Sequence, residues 1–107
     1  MKYTELELFD TIFYSYTTGL QGRQFSFEFL WLEGRDTGWI VNIKDEVGLS
    51  IISGYKLVQE YPMMADYALE DRGLSGYFLL LPKIVGLKGL NKSPSEIAQF
   101  YRLFYIY

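Results

Sequence analysis

At 107 residues, half of them hydrophobic and about a fifth charged, the chain has the make-up of one folded globular domain spanning 1–107, not of a disordered segment. Its net charge of −3 argues against the basic footprint of a general nucleic-acid binder. Cysteine and histidine are both absent, which removes disulfides, thiolate nucleophiles, Ser-His-Asp and Cys-His catalytic sets and the ordinary zinc ligands.

The first ten residues, MKYTELELFD, are too acidic for the positive region of a signal peptide, and no run approaches the ~18 apolar residues of a membrane span. Synthesis and folding in a cytoplasm are the expectation. Tyr3 to Phe9 alternates, with Glu5 and Glu7 on one side and Leu6 and Leu8 on the other. That pattern predicts a short strand at a sheet edge, where the carboxylates discourage further pairing, and leaves residues 1–10 open as an assembly arm. Ile12 to Thr18 is rich in β-branched and aromatic residues and predicts a second strand, with Gly19 and Gly22 bracketing the turn after it.

Gln24 to Glu33 places Phe25, Phe27, Phe29 and Trp31 on one face and Ser26, Glu28, Leu30 and Leu32 on the other. A helix would scatter the four aromatic side chains around its circumference, so the period of two predicts a strand. Gly34 to Gly38 turns the chain into a further strand, in which Trp39, Val41 and Ile43 share a face. Asp45, Glu46 and Gly48 supply turn chemistry. The chain then runs out again through Leu49, Ile51, Ile52, Ser53-Gly54, Tyr55, Leu57 and Val58 to Pro62. This is a hairpin inside an antiparallel meander, with Trp31 and Trp39 clustering across strands.

Met63 to Asp71 reads equally as an irregular crossing or as one helical turn, and Gly73 and Gly76 bracket a turn. Tyr77 to Leu81 is continuous and apolar, a strand stopped by Pro82, and Gly86 to Lys92 is a loop. Ser93-Pro94-Ser95-Glu96 matches a capping box ahead of a single helical turn over Pro94 to Gln99. Tyr101 to Tyr107 ends the chain as an aromatic strand. The fold class is therefore mainly β: a small antiparallel barrel or sandwich of about seven strands with one or two helical turns.

Charge is uneven. Residues 1–50 carry 4 basic and 8 acidic side chains, whereas Lys83, Lys88, Lys92 and Arg102 face only Glu96 near the other end. A solvated lysine loop explains this blandly; an acidic end meeting the basic end of a neighbouring copy is the sharper reading. The carboxylate pairs Asp45-Glu46 and Glu70-Asp71 read as turn and solvent charges, because adjacent residues in a strand face opposite ways and a glycosidase needs two aimed at one bond. No phosphate loop, nucleotide fingerprint or calcium loop occurs, so neither catalysis, metal nor cofactor is expected. Aromatic content of 19% fits strand propensity or a surface meant for a partner. A flat aromatic platform for sugars remains an alternative function.

The order of these landmarks resembles the plug-like proteins of contractile phage tail baseplates. In that family an aromatic strand precedes a tryptophan-led strand ending in an acidic residue. A glycine turn, a small-Gly step, a Leu-Val pair and a Pro-apolar pair follow. Phe25, Phe27, Phe29 and Trp31 are similar to the first element; Trp39, Ile43 and Asp45 to the second; Gly48, Ile51, Ser53 and Gly54 to the turn and step. Leu57-Val58, Pro62-Met63-Met64, Pro94 and Leu103-x-Tyr105 resemble the closing elements, while Leu32 and Ile97-Ala98 depart from the pattern.

The resemblance implies a structural component at the centre of the baseplate, in the virion and made in the host cytoplasm. It would contact tail tube, hub, spike and tube-initiator proteins in a symmetric multi-copy assembly, without nucleic-acid specificity. Tyr55, Leu57, Tyr61, Met63, Met64, Tyr105 and Tyr107 are the expected interface residues. Trp31, Trp39, Gly48, Gly54 and Pro62 are the expected framework. Met63 and Met64 beside Tyr61 suit either an adaptable apolar patch or the core.

Overall fold

The structure, a computed structural model, describes residues 1–34, 37–84 and 93–107. Alternating apolar and polar residues draw these into seven strands: β1 (Tyr3–Leu6), β2 (Phe13–Leu20), β3 (Arg23–Leu32), β4 (Gly38–Lys44), β5 (Ser50–Lys56), β6 (Tyr77–Pro82) and β7 (Tyr101–Ile106). A 3-10 turn at Glu70–Arg72 and one helix, α1 (Pro94–Phe100), complete the described elements. The strands form two antiparallel sheets, in the orders β2-β3-β4-β5 and β1-β7-β6. Of the two architectures expected, the result is sandwich-like and not a closed barrel.

The four-stranded sheet is the expected meander. Gln21 and Gly22, with φ of 52° and 82°, form the two-residue turn between β2 and β3, because left-handed residues match the twist of a hairpin. Gly19 therefore lies within β2 instead of bracketing the turn. The β4–β5 turn is held by Asp45, whose Oδ1 accepts the N–H groups of Val47 and Leu49 at 3.1 and 2.9 Å. Register shifts around Ile43 and Lys44 mark a bulge in the β4–β5 ladder. Gly54 sits opposite it with a left-handed φ of 67°, a conformation costly for other residues.

The strand expected to run on to Pro62 stops at Lys56, and the chain then crosses between sheets. Glu60 donates its N–H to Leu80 O at 2.9 Å, while Met63 and Phe78 exchange N–H···O bonds of 2.8 and 3.0 Å. The crossing thus covers the outer edge of β6. Met63 to Asp71 is mostly irregular, with the 3-10 turn at its end. Gly76 lies so close to β7 that a Cβ there would stand 1.9 Å from Ile106 O.

The helix starts where expected and extends through Phe100. Its capping box does not form: the Ser93 hydroxyl reaches the Glu96 carboxylate at 3.3 Å and makes no bond to a backbone N–H. The turn residues 35–36, the loop Gly86 to Lys92 and the lysines Lys88 and Lys92 lie outside the described residues.

The inner faces meet in one core. Phe25, Phe27, Phe29, Trp39, Val41, Ile43 and Ile52 come from the four-stranded sheet, and Leu6, Phe78, Leu80, Leu103 and Tyr105 from the other. Phe27 meets Phe78 edge-on across the sandwich at 5.9 Å. Each such side chain withdrawn from water contributes roughly 1.5–3 kcal/mol. At one end Gln21 clasps the sheets together: it donates to Ser75 Oγ at 2.8 Å, and its Oε1 accepts from the Ser75 N–H at 2.9 Å and from the Tyr105 hydroxyl.

Candidate assembly surfaces

The expected framework residues lie in strands, turns and the crossing between sheets. Trp31 and Trp39 pair in register with rings 5.5 Å apart, but only Trp39 enters the core. Trp31, at the rim of β3, stays half-exposed, with its indole N–H donating to Glu33 Oε1 at 3.2 Å. Of the four aromatic residues that share this face of β3, Phe25, Phe27 and Phe29 are buried and Trp31 is not. Gly48 occupies the Asp45 turn, where its N–H donates to Asp45 O at 3.0 Å. Gly54 donates its N–H to Asn42 Oδ1 at 2.7 Å, and the Asn42 amide donates to Glu28 Oε1 at 2.8 Å. Pro62 is exposed in the crossing beside Met63.

Burial divides the seven expected interface residues. Leu57, Met63, Met64 and Tyr105 lie in the core, which corrects the expectation that they present a surface. Met63 points inward because its backbone is locked to Phe78, and its sulfur takes the Val58 N–H at 3.3 Å. Tyr105 falls on the inner face of the middle strand β7, alternating with Leu103 and Tyr101, and its hydroxyl accepts the Gly76 N–H at 2.9 Å. Tyr55 is half-buried, and burial pushes its phenol pKa up. Tyr61 is 51% exposed and Tyr107 36%. Tyr107 is nevertheless tied down, stacking on Tyr105 at 5.4 Å and exchanging backbone hydrogen bonds with Lys2. Tyr67, 52% exposed and edge-on to Tyr55 at 5.6 Å, joins this surface without having been expected.

The outer face of β1-β7-β6 carries residues of the terminal strands that the sequence did not single out. The pairing of β7 with its neighbours sets Tyr3, Ile106 and Tyr77 in one row, Glu5, Phe104 and Leu79 in the next, and Arg102 beside Leu81 in a third. All of these point away from the core, and the apolar ones are at most half-buried or exposed. Contacts run within the face. Tyr3 meets Phe104 edge-on at 5.6 Å, and the Arg102 guanidinium lies 5.6 Å from the Phe104 ring centre. A signal for this face existed in the sequence: β6 is apolar at both parities, the mark of a strand covered on both sides.

Arg102 donates to both carboxylate oxygens of Glu5 at 2.9 and 3.0 Å, which holds the Glu5 carboxyl below its usual range. The acidic first half and the basic end of the chain therefore meet partly within one molecule. A cleft of about 400 Å³ beside this pair is lined by Glu7, Leu8, Lys83 and Tyr101. Asp45 and Glu70-Asp71 sit in turns, as expected. Tyr14 and Tyr16 stack over Phe29 at 4.8 and 5.7 Å. Phe25, Phe27, Phe29 and Trp39 are enclosed and offer no platform to a sugar.

Among the described residues no helix is long and apolar enough to cross a membrane. A family model described as cyanophage baseplate Pam3 plug gp18 matches residues 1–107. No curated protein matches the chain.

Proposed function

This chain belongs to the family of the cyanophage baseplate plug, a structural component of the phage tail, and on that premise we propose that it joins or seals the central tube, hub and spike by protein contacts. The family match over the whole chain carries this reading. The whole chain acts as one β domain, without catalysis of its own. Tyr55, Tyr61 and Tyr67 form a semi-exposed aromatic cluster beside the crossing, of the residue type that interface cores favour. They are the surface we assign to a tube, hub or tube-initiator protein, in an assembly of several symmetric copies put together from protein made in the host cytoplasm.

Such a plug works mechanically. A rigid, aromatic-rich β domain binds its neighbours by buried surface and holds the assembly until contraction. Co-purification with tube, hub and spike proteins of a contractile phage tail is the test. Stable co-assembly with at least one of them is expected; a chain that stays apart from every tail protein would sink the proposal.

A further inference from the structure

We propose that the free edge of β2 is a strand-docking site, which takes up an extended segment of a partner protein carrying a lysine or arginine toward Glu7. The inference needs nothing from the tail assignment, because it rests on unpaired backbone and on the charges beside it.

The two sheets have four edges, and three are guarded. The crossing covers β6 through the Glu60 and Met63 hydrogen bonds. The β5 edge is distorted by the bulge in its ladder and by left-handed Gly54. The β1 edge is four residues long and carries Glu5. None of these devices protects β2: its eight residues, FYSYTTGL, hold no charge, no proline and no break in their register with β3.

The direction of its backbone groups follows from the pairing. Trp31 donates its N–H to Ile12 O at 2.8 Å, one step before Phe13 stands opposite Leu30. Bonded pairs alternate along an antiparallel ladder. Tyr14, Tyr16, Thr18 and Leu20 therefore direct their backbone groups to β3, while Phe13, Ser15, Thr17 and Gly19 aim theirs outward. Among the described residues no hydrogen bond reaches the backbone of these four, and all four are exposed. Such a row of N–H and C=O groups has the spacing of a strand and is satisfied by another strand.

Charge decides the occupant. Beneath the edge the Tyr16 hydroxyl donates to Glu7 O at 3.0 Å. A notch of about 190 Å³ opens there, lined by Glu5, Leu6, Glu7, Tyr16, Thr17 and Thr18. Arg102 is bound to Glu5, and Lys83 lines the cleft on the other side of Glu5 and Glu7. Glu7 forms no ion pair among the described residues, and exposed Asp10 adds a further acid just before β2. Farther off, Glu28 is held by the Asn42 amide, Lys44 stands two strands away on β4, and Arg23 packs against Gly73. Side chains of an added strand alternate across the sheet, so one set points into this notch, where a basic head meets Glu7. The other set crosses the outer face beside Phe13, Ser15, Thr17 and Gly19, where small or β-branched side chains fit.

A second copy is the wrong occupant. Antiparallel pairing of two β2 edges that uses all four outward residues puts the two-fold axis at Tyr16. Glu7, tied to Tyr16, would then face the partner's Glu7 across that axis. A copy offering its β5 edge would bring a bulged ladder, and one offering β1 a further carboxylate.

Amide hydrogen exchange of the full chain, read residue by residue by NMR, tests the proposal with two short synthetic peptides. One alternates threonine with lysine, the other threonine with glutamate. At ~1 mM the lysine peptide should slow exchange at the N–H groups of Ser15, Thr17 and Gly19 by at least about tenfold, and the glutamate peptide should leave them unchanged. Glu7→Gln should remove most of that difference. Thr17→Pro deletes an outward donor but no bond to β3, so it should abolish protection in a chain still folded by circular dichroism. Ser15→Pro serves if that variant does not fold. No slowing at ~1 mM, equal protection by both peptides, a preference unchanged in Glu7→Gln, or protection surviving Thr17→Pro would each overturn it. So would protection that rises with protein concentration alone, the mark of a second copy.

Discussion

The two sheets share a core, yet their outer faces differ. On the four-stranded sheet Ser15, Glu28 and Asn42 form one outward row and Thr17, Ser26 and Lys44 another. These rows are knit together by side chains: Thr17 and Ser26 hydroxyls lie 3.3 Å apart, and the Glu28–Asn42–Gly54 chain crosses three strands. On the three-stranded sheet the equivalent positions are Tyr3, Tyr77, Leu79, Leu81, Phe104 and Ile106, relieved by one ion pair. Those two rows satisfy their own polar groups, and apolar side chains on that face gather in the row Phe13, Leu30 and Ile40 at its far end; the three-stranded face carries apolar side chains in every row.

If the faces differ only outside a common core, removing a residue that spans both sheets should destabilise both together. Phe27→Ala is expected to cost about 3–5 kcal/mol. Urea unfolding followed by tryptophan fluorescence, which reports the sheet holding Trp31 and Trp39, should coincide with unfolding by circular dichroism. Separate transitions would mean two cores and would break the comparison at its root.

Next in size is a contrast between the faces themselves. Asn42→Ala removes both bonds of the polar relay and leaves the Gly54 N–H at the bulge without its acceptor, a loss of about 1–2 kcal/mol. Leu79→Thr on the apolar face should change the stability of the isolated chain by only ~0.5 kcal/mol or less while raising its solubility. Equal costs at the two positions would show that the faces are held alike.

Tyr14 sharpens the comparison from inside. Its hydroxyl is buried and, among the described residues, makes no hydrogen bond of good geometry, and burial pushes its pKa up from 10.0 to about 12. Burial moves Tyr16 the same way. A raised folded pKa gives stability that is complete below the unfolded value and lost as pH rises through the folded one, so the chain should weaken between pH 10 and about 12. Tyr14→Phe should stabilise it by up to ~1 kcal/mol at neutral pH and soften the alkaline loss, in melts run across that range. A destabilised variant would place a partner on that hydroxyl.

The smallest effect belongs to the bridge on the apolar face. The Glu5 carboxyl is held below its usual 4.5 by the Arg102 hydrogen bonds, so its contribution is present above that value and lost as pH falls through the folded pKa. Glu5→Gln should remove only this acid dependence, and added salt should shrink it. If the acid limb is unchanged in the variant, the bridge carries no stability in the single chain.

Much of this was legible beforehand. The period of two in Gln24 to Glu33 and in Trp39 to Lys44 places the central strands, because a strand exposes its alternation whatever it packs against. Asp45 announced its turn because its carboxylate acts over two to four residues. Long-range choices were not legible. Met63 and Met64 looked as much like a patch as like core until the Phe78 backbone fixed the crossing. Tyr105 and Phe104 are neighbours of similar type, and only the neighbours of β7 decide that the first is enclosed and the second faces out.

By itself the sequence determined the strands, the hairpin turns and, through the absence of histidine and cysteine, the exclusion of the commonest catalytic and metal chemistries. These depend on local backbone geometry and on atoms the chain does or does not possess. Only the tertiary structure decided that β1 and β7 lie side by side, so that Glu5 reaches Arg102 across 97 residues of sequence and an apolar face forms around them. Pairing between distant strands is chosen by the whole core at once, and no window of neighbouring residues contains that choice.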